Sequence, residues 1–331
     1  MKTLSIGDFY DIREIIGKGL FSEVRRAVCR QTRQNVAIKS VNLNEYPQLR
    51  ASVYNSISVR SNLQHPGIIE LFDVFEQEGV VYMVLELFSG KDLMETIAER
   101  GKLSEKETSN ILCQILLALK YVHSKGITVC NLSPETVLVS ENPDSGFTIK
   151  LNDFKSAAKR RDMIFEEISP VFAAPEILID GHCQPKSDMW AVGVIAYLMI
   201  CGYPPFFRTK LKCLEKDIIA GKYEFNKPWW NCISDCSKNL IRNLLLVDVD
   251  ERLSASEALD HQFINPRQSE IDLHEELRCL DQPESERSSR SFTDTLVSVA
   301  SASVDVKPKI FRIFSKIKQA FIKPKAKNNK V

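Results

Sequence analysis

The chain has 331 residues, 44% of them hydrophobic and 26% charged, with a formal net charge of +1. That composition excludes a wholly disordered or fibrous chain and gives length enough for one two-lobed domain or two small ones. The total hides an asymmetry that points to an electrostatic role for the tail: from Asp305 to Val331 nine Lys/Arg meet one acid, net +8, while the 304 residues before them carry 35 basic and 42 acidic residues, net −7.

The first residues, MKTLSIGDFYDIREIIG, lack the apolar core of a secretion signal. Residues 9–87 read as strand-rich, with short alternating runs at 36–41, 68–75 and 80–85. A helix is predicted over about 47–63, between the first two runs. At Ser104 the pattern turns helical: Ser104 and Glu107 form a Ser-x-x-Glu capping box ahead of the apolar-periodic stretch 111–122. Further helices are expected near 187–202, 210–219, 236–246 and 254–262. The longest apolar run, 189–203, is broken by glycines and too short to span a bilayer, so it reads as a buried helix. Nine cysteines, an odd number, are scattered along the chain, and Cys232 and Cys236 lie four apart with no nearby Cys or His to complete a zinc site. The expectation is a reduced, cytoplasmic protein.

Short motifs punctuate this plan. Gly17-Lys18-Gly19-Leu20-Phe21-Ser22-Glu23-Val24 fits G-x-G-x-x-G-x-V with serine for the third glycine, a match that taken singly is weak. It lies between strands and is followed by Val36-Ala37-Ile38-Lys39. The run Val129-Cys130-Asn131-Leu132-Ser133-Pro134-Glu135-Thr136 has the frame H-R-D-L-x-P-E-N. Then come Asp153-Phe154, Ala174-Pro175-Glu176, Ser187-Asp188-Met189-Trp190 and Asp250-Glu251-Arg252. Their common order and compatible spacings make the set specific where each member is not.

Residues 9–264 therefore resemble a protein kinase domain of the calcium/calmodulin-dependent group. Within that group they look most similar to protein kinase D catalytic domains, on FYDI near the start, HPGIIEL, Cys130 and IRNLLLVDVDERLSASEAL. The resemblance implies an α+β, two-lobed kinase fold with a small β-rich lobe over about 9–87 and a helical lobe over 88–264. It implies that Gly17, Gly19 and Val24 cover ATP and that Ala37 and Leu138 sandwich adenine. Leu85 would stand as gatekeeper, with Glu86 to Phe88 as hinge and Asp92 towards the ribose. Lys39 would meet the α- and β-phosphates, and Asp153 would hold Mg²⁺. Glu176 and Arg252 would form a buried pair anchoring the large lobe, and Asp188 would be a further structural residue.

The departures from the pattern fall on the chemistry. The catalytic aspartate is Asn131, and a neutral carboxamide cannot act as the base. The loop lysine is Ser133, the second metal ligand is Thr136, and the glycine after Asp-Phe is Lys155. The helix glutamate that pairs with the strand lysine falls at Ser56, and no acid lies between Tyr46 and Ile69 to rescue it by a shift of register. The loop histidine and arginine are Val129 and Cys130. Each loss alone has a bland reading. Together they remove a base, a cation and a metal ligand, three separate terms in a reaction catalysed by positioning and charge. Lys155 adds a cation that could replace the missing one, pair with Asp153, or face solvent. The sequence thus predicts a pseudokinase acting as scaffold or allosteric regulator, with weak ATP and Mg²⁺ binding. The alternative is a weakly active Ser/Thr kinase.

After residue 264 the composition changes. A linker, 265–305, is Ser/Thr-rich in its second half and expected to be disordered. Residues 306–331, VKPKIFRIFSKIKQAFIKPKAKNNKV, place Ile310, Ile313, Phe314, Ile317 and Phe321 on one face of a basic helix. Such a helix reads as calmodulin-target-like or membrane-surface, with Ile313, Phe314, Ile317 and Phe321 as anchors. The expected partners are proteins, calmodulin first, or an anionic membrane reached as a peripheral protein. Docking on its own domain and a plain solvated tail are the bland alternatives. Nucleic acid is not expected, because Tyr and Trp are absent and the phenylalanines belong to the apolar stripe.

Overall fold

A computed structural model describes residues 5–142, 146–154, 157, 169–208 and 210–265. A short turn of helix, α1 (Ile6–Phe9), leads into an antiparallel five-stranded sheet of order β1-β2-β3-β5-β4. Its strands are β1 (Tyr10–Lys18), β2 (Glu23–Cys29), β3 (Asn35–Asn42), β4 (Leu71–Gln77) and β5 (Val80–Glu86). The β4–β5 hairpin turns on Glu78 and Gly79, both at positive φ, the backbone a tight two-residue hairpin requires. The helix expected over 47–63 is α2 (Arg50–Arg60), entered through a 3₁₀ turn at Pro47–Leu49. Val53, Ser56 and Arg60 share its buried face, at the spacing of one helical stripe.

The strand expected from residue 68 starts only at Leu71. Ile68 instead makes a parallel bridge with Leu151, and Ile69 N–H donates to the Leu151 carbonyl at 3.0 Å. This stretch ties the small lobe to the floor of the cleft. That floor is a three-stranded sheet, β6 (Lys91–Asp92), β7 (Val137–Asn142) and β8 (Gly146–Leu151). The chain after Ser104 is therefore not purely helical, as the sequence reading had it. Alternating burial along β7 and β8 turns the hairpin's apolar side to the core, where α4 packs against it.

The large lobe is built on α3 (Leu93–Arg100), α4 (Glu105–Ser124), α5 (Pro175–Asp180), α6 (Pro185–Cys201), α7 (Leu211–Ile219), α8 (Asp235–Leu244) and α9 (Ala255–Asp260). The Ser104–Glu107 capping box opens α4, with both reciprocal bonds formed. From Ser187 to its last residue α6 is buried on all sides, as its apolar run implies, and no described helix is long and apolar enough to cross a membrane. Gly193 lets α6 and α8 meet: a Cβ there would lie 2.8 Å from Leu245 Cδ2 and 2.9 Å from Leu244 Cβ. One cysteine pair departs from the reduced reading. Cys130 and Cys183 are joined as a disulfide, with Cα atoms 5.9 Å apart.

Glu176 and Arg252 meet at the base of this lobe. The Arg252 guanidinium is fully buried and donates to Glu176 Oε1 at 2.8 Å and Oε2 at 3.0 Å, and to the carbonyls of Lys186 and Leu246. Ser187 Oγ donates to the same carboxylate at 2.6 Å. Replacing Arg252 with Met should cost about 3–5 kcal/mol in chemical denaturation, because it leaves the mostly buried Glu176 carboxylate without its charge partner. Arg252→Lys, which keeps charge but not the fork, should fall between. A loss below ~1 kcal/mol for Met would show that Glu176 is solvated or re-paired.

Candidate functional site

The cleft between the lobes is roofed by the β1–β2 hairpin. Gly17 pairs with Val24, and Gly19 N–H donates to the Ser22 carbonyl at 2.7 Å. A Cβ on Gly19 would sit 2.8 Å from Ser22 Oγ, which would have to rotate away. Register then sets the slot beneath. β3 places Ala37 opposite Leu85 and Lys39 between Val24 and Met83 on its two neighbours. Val24, Ala37, Leu85, Phe88 and Leu138 belong to one apolar cluster. Leu138 comes from β7, so roof and floor share this cluster. Gly90 permits the crossing, since a Cβ there would come within 2.4 Å of the Val139 carbonyl.

Glu86 and Asp92 each have partners within the protein. The Glu86 side chain binds Lys150, whose Nζ is 2.7 Å from its carboxylate, and accepts from Glu70 N–H at 3.3 Å. It lines a separate cavity of about 360 Å³ with Leu63, His65, Phe72 and Lys150, so only its backbone is offered to the slot. Asp92 is the N-cap of α3, accepting Glu95 N–H at 2.7 Å. Burial pushes its carboxyl up to about 6, with Glu95 and Glu135 adding repulsion and the cap bond opposing.

The loop 128–136 is held by a buried acid. Asp188, in the first turn of α6, accepts Val129 N–H at 2.9 Å and Cys130 N–H at 2.8 Å, and His123 Nε2 lies 2.8 Å from its Oδ2. Cys130 takes φ +66°, a conformation costly for a residue with a Cβ and sustained here by these contacts. Asn131 follows, half-buried. Ser133 and Thr136 are buried and bound to each other: Thr136 Oγ1 accepts Ser133 N–H at 3.0 Å and donates to the Ser133 carbonyl at 2.8 Å. The hydroxyl's only proton is thereby used, and one lone pair with it. Thr136 serves here as a local cap. One remaining lone pair on a neutral hydroxyl is a poor fit for a second cation, and Asp153, the carboxylate that the family pattern assigns to the first, already lies in the field of the buried Arg60.

The Asn152-Asp153-Phe154 stretch is fixed from α2 by residues the sequence reading missed. Arg60 donates from Nη1 to the Ile69 carbonyl at 3.2 Å and from Nη2 to the Asn152 carbonyl, and its guanidinium lies 5.2 Å from the centroid of the Phe154 ring. Burial pulls its pKa down to about 10, against the raising field of Asp153, so it stays cationic at neutral pH. Asn55 Nδ2 donates to the Ala157 carbonyl at 2.6 Å. Ser56, at the vacant acid position, is buried between them in sequence. A basic residue on the apolar stripe of a predicted helix was the available signal. Lys155, Ile313, Phe314, Ile317 and Phe321 lie outside the described residues.

The protein kinase domain model matches residues 10–264. The chain is 34% identical over 267 residues to "Calcium/calmodulin-dependent protein kinase type 1" of Macrobrachium nipponense, covering 80% of this chain and 77% of that protein. It is 37% identical over 265 residues to the human "Calcium/calmodulin-dependent protein kinase type 1B", covering 80% and 77%. To the mouse "Serine/threonine-protein kinase DCLK3" it is 36% identical over 263 residues, which cover 77% of this chain and 33% of that protein. The chain belongs to the protein kinase domain family.

Arg60→Met should destabilise the protein by about 2–3 kcal/mol, the worth of charged hydrogen bonds to otherwise orphaned carbonyls. Hydrogen exchange should accelerate first in 50–60 and 151–154, with α6 unchanged; uniform acceleration would show that Arg60 only fills the core. For Asp92 the folded pKa is raised. Its contribution is therefore complete below about 3.8 and lost as pH rises through about 6. The melting temperature of Asp92→Asn, which keeps the cap, should fall less than that of the parent between pH 4 and 7. Parallel profiles would mean that Asp92 is solvated.

Proposed function

We propose that this chain is a pseudokinase of the calcium/calmodulin-dependent group, a scaffold or allosteric regulator that keeps an adenine slot and has lost phosphotransfer. The observation that carries the reading is Thr136 Oγ1 locked to both backbone groups of Ser133, in the loop where Asn131 replaces the base. Those losses act as a unit, and at ~2–3 kcal/mol each they compound to many orders of magnitude in rate. Nearness to protein kinase D catalytic domains, through Cys130 and the 241–259 run, is part of the same reading. The second reading, a weak Ser/Thr kinase, is favoured by the retention of Lys39 and Asp153 together with the apolar slot.

Partner binding falls to the basic tail. The relatives' names make calcium-loaded calmodulin the first candidate, and an anionic membrane is the alternative. Activation-segment phosphorylation is not expected to switch the protein, because Cys130 occupies the position of the arginine that would receive the phosphate.

Purified protein should incorporate no label from ATP into itself or a generic substrate above a Lys39→Met control, and Asn131→Asp alone should not restore it. Robust turnover lost in Lys39→Met overturns the pseudokinase reading. Thermal-shift titration should show weak ATP binding that changes little on magnesium chelation; tight binding that collapses with chelator contradicts it. In the full chain, Phe314→Ala with Phe321→Ala should weaken calmodulin binding more than removal of two lysines. A graded loss with each lysine, dependent on anionic vesicles, would assign the tail to a membrane.

A further inference from the structure

We propose that Cys130 and Cys183 form a reversible thiol–disulfide site that fastens the 128–136 loop to the start of α6, independently of whether the protein transfers phosphate. The two residues are 53 apart in sequence, and their Cα atoms are 5.9 Å apart, within the span a disulfide bridges without backbone movement. Neither position is free to drift. Cys130 is held by its N–H bond to Asp188 Oδ1, and Cys183 leads directly into the Gln184 cap and Pro185 of α6, the helix that carries Asp188. One backbone framework therefore presents both sulfurs to each other.

Their surroundings differ in a way that assigns roles. Cys130 is buried at 5% exposure, while Cys183 is half-buried and packs at the edge of the large core. Cys183 is therefore the sulfur that a solution oxidant or reductant reaches, next to the α6 N-terminus, whose dipole favours a thiolate. With hydrogen peroxide, the Cys183 thiolate sulfur takes one peroxide oxygen as the O–O bond breaks, giving a sulfenic acid and, after protonation, water. Cys130 Sγ then attacks that sulfur. The S–S bond forms, the S–O bond breaks, and hydroxide leaves to combine with the Cys130 proton as a second water. Two thiols lose two electrons in all, and the peroxide gains them. In reverse, a dithiol attacks Cys183, Cys130 leaves as the thiolate, and the second thiol of the reductant resolves the mixed disulfide.

Closure encloses residues 131–182, which include Asn131, Ser133, Thr136, Asp153 and the Ala174-Pro175-Glu176 turn. In the reduced chain the loop rests on the Asp188 contacts; in the oxidised chain a covalent tie is added at the same place. Tying a loop of this length removes unfolded-state entropy, so oxidation should raise the melting temperature by roughly 5–10 °C.

The test compares full-length protein after dithiothreitol and after hydrogen peroxide followed by catalase. Oxidised protein should lose about 2 Da, consistent with one disulfide. It should yield one cross-linked peptide pair containing Cys130 and Cys183, melt higher, and revert with dithiothreitol. Cys183→Ser should fold, lack the pair and show no rise. Cys213→Ser, which removes an exposed cysteine, should behave as the parent. A chain nicked between 131 and 182 should migrate as one species until reduced. Full alkylation of both cysteines in the oxidised sample, a stable sulfenic acid without the cross-link, or a temperature rise that persists in Cys183→Ser would each overturn the proposal.

Discussion

The loop between Thr128 and Thr136 exists because one buried carboxylate accepts two successive backbone N–H groups. Asp188 is 1% exposed, and its acceptance of Val129 and Cys130 N–H compensates its desolvation as well as the positive φ of Cys130. None of this depends on what the loop's side chains do chemically. The Arg252–Glu176 fork is equally indifferent to chemistry, and it joins the Ala174-Pro175-Glu176 turn to the chain before α9. Asp188 holds the loop through backbone N–H groups, so its grip does not depend on the side chains at Asn131, Ser133 and Thr136.

The link from α2 shows the same economy in another form. The kinase pattern expects a carboxylate at Ser56 that ties α2 to Lys39 through one ion pair. Here α2 is joined to the floor of the cleft by Arg60 and Asn55, both donating to backbone carbonyls. Carbonyl acceptors carry no titratable proton and need no partner side chain, so this contact does not require Lys39. Arg60 also sets a positive charge near Asp153 in a buried place, where Coulomb effects are strong. Its Nη1 and Nη2 donate to the Ile69 and Asn152 carbonyls and its guanidinium lies over Phe154, so it is held at the edge of this stretch while its field acts on Asp153.

Most of the frame was legible in the sequence because motif order and periodicity are local properties. The capping box at Ser104, the 189–203 run and the V-A-I-K strand all became elements at or near the expected places. The β7–β8 hairpin was missed because short half-buried strands give little signal beside long helices. Within the site, Gly17, Val24, Ala37, Leu85, Phe88 and Leu138 follow from strand register. Arg60, Asn55 and the Cys130–Cys183 pair do not, since each depends on residues 53 to 102 positions apart that only tertiary packing brings together. The pairing of the Glu86 side chain with Lys150 was not legible either, because it joins residues 64 positions apart.

Under the pseudokinase reading, the two halves of the cleft recognise different parts of a nucleotide with unequal strength. The base end is apolar, spans both lobes through Val24, Ala37 and Leu138, and needs neither charge nor metal to favour a flat ring. The phosphate end keeps Lys39 and Asp153 but has Ser133 for a cation and a Thr136 hydroxyl turned inward. Under the pseudokinase reading such a cleft binds a nucleotide mainly by its base. Filling it joins roof and floor, and a ligand that binds the closed arrangement better shifts the population towards it. A regulator needs only that difference in affinity, not turnover. The residues that supply it are those of the base end, which carries none of the replaced positions.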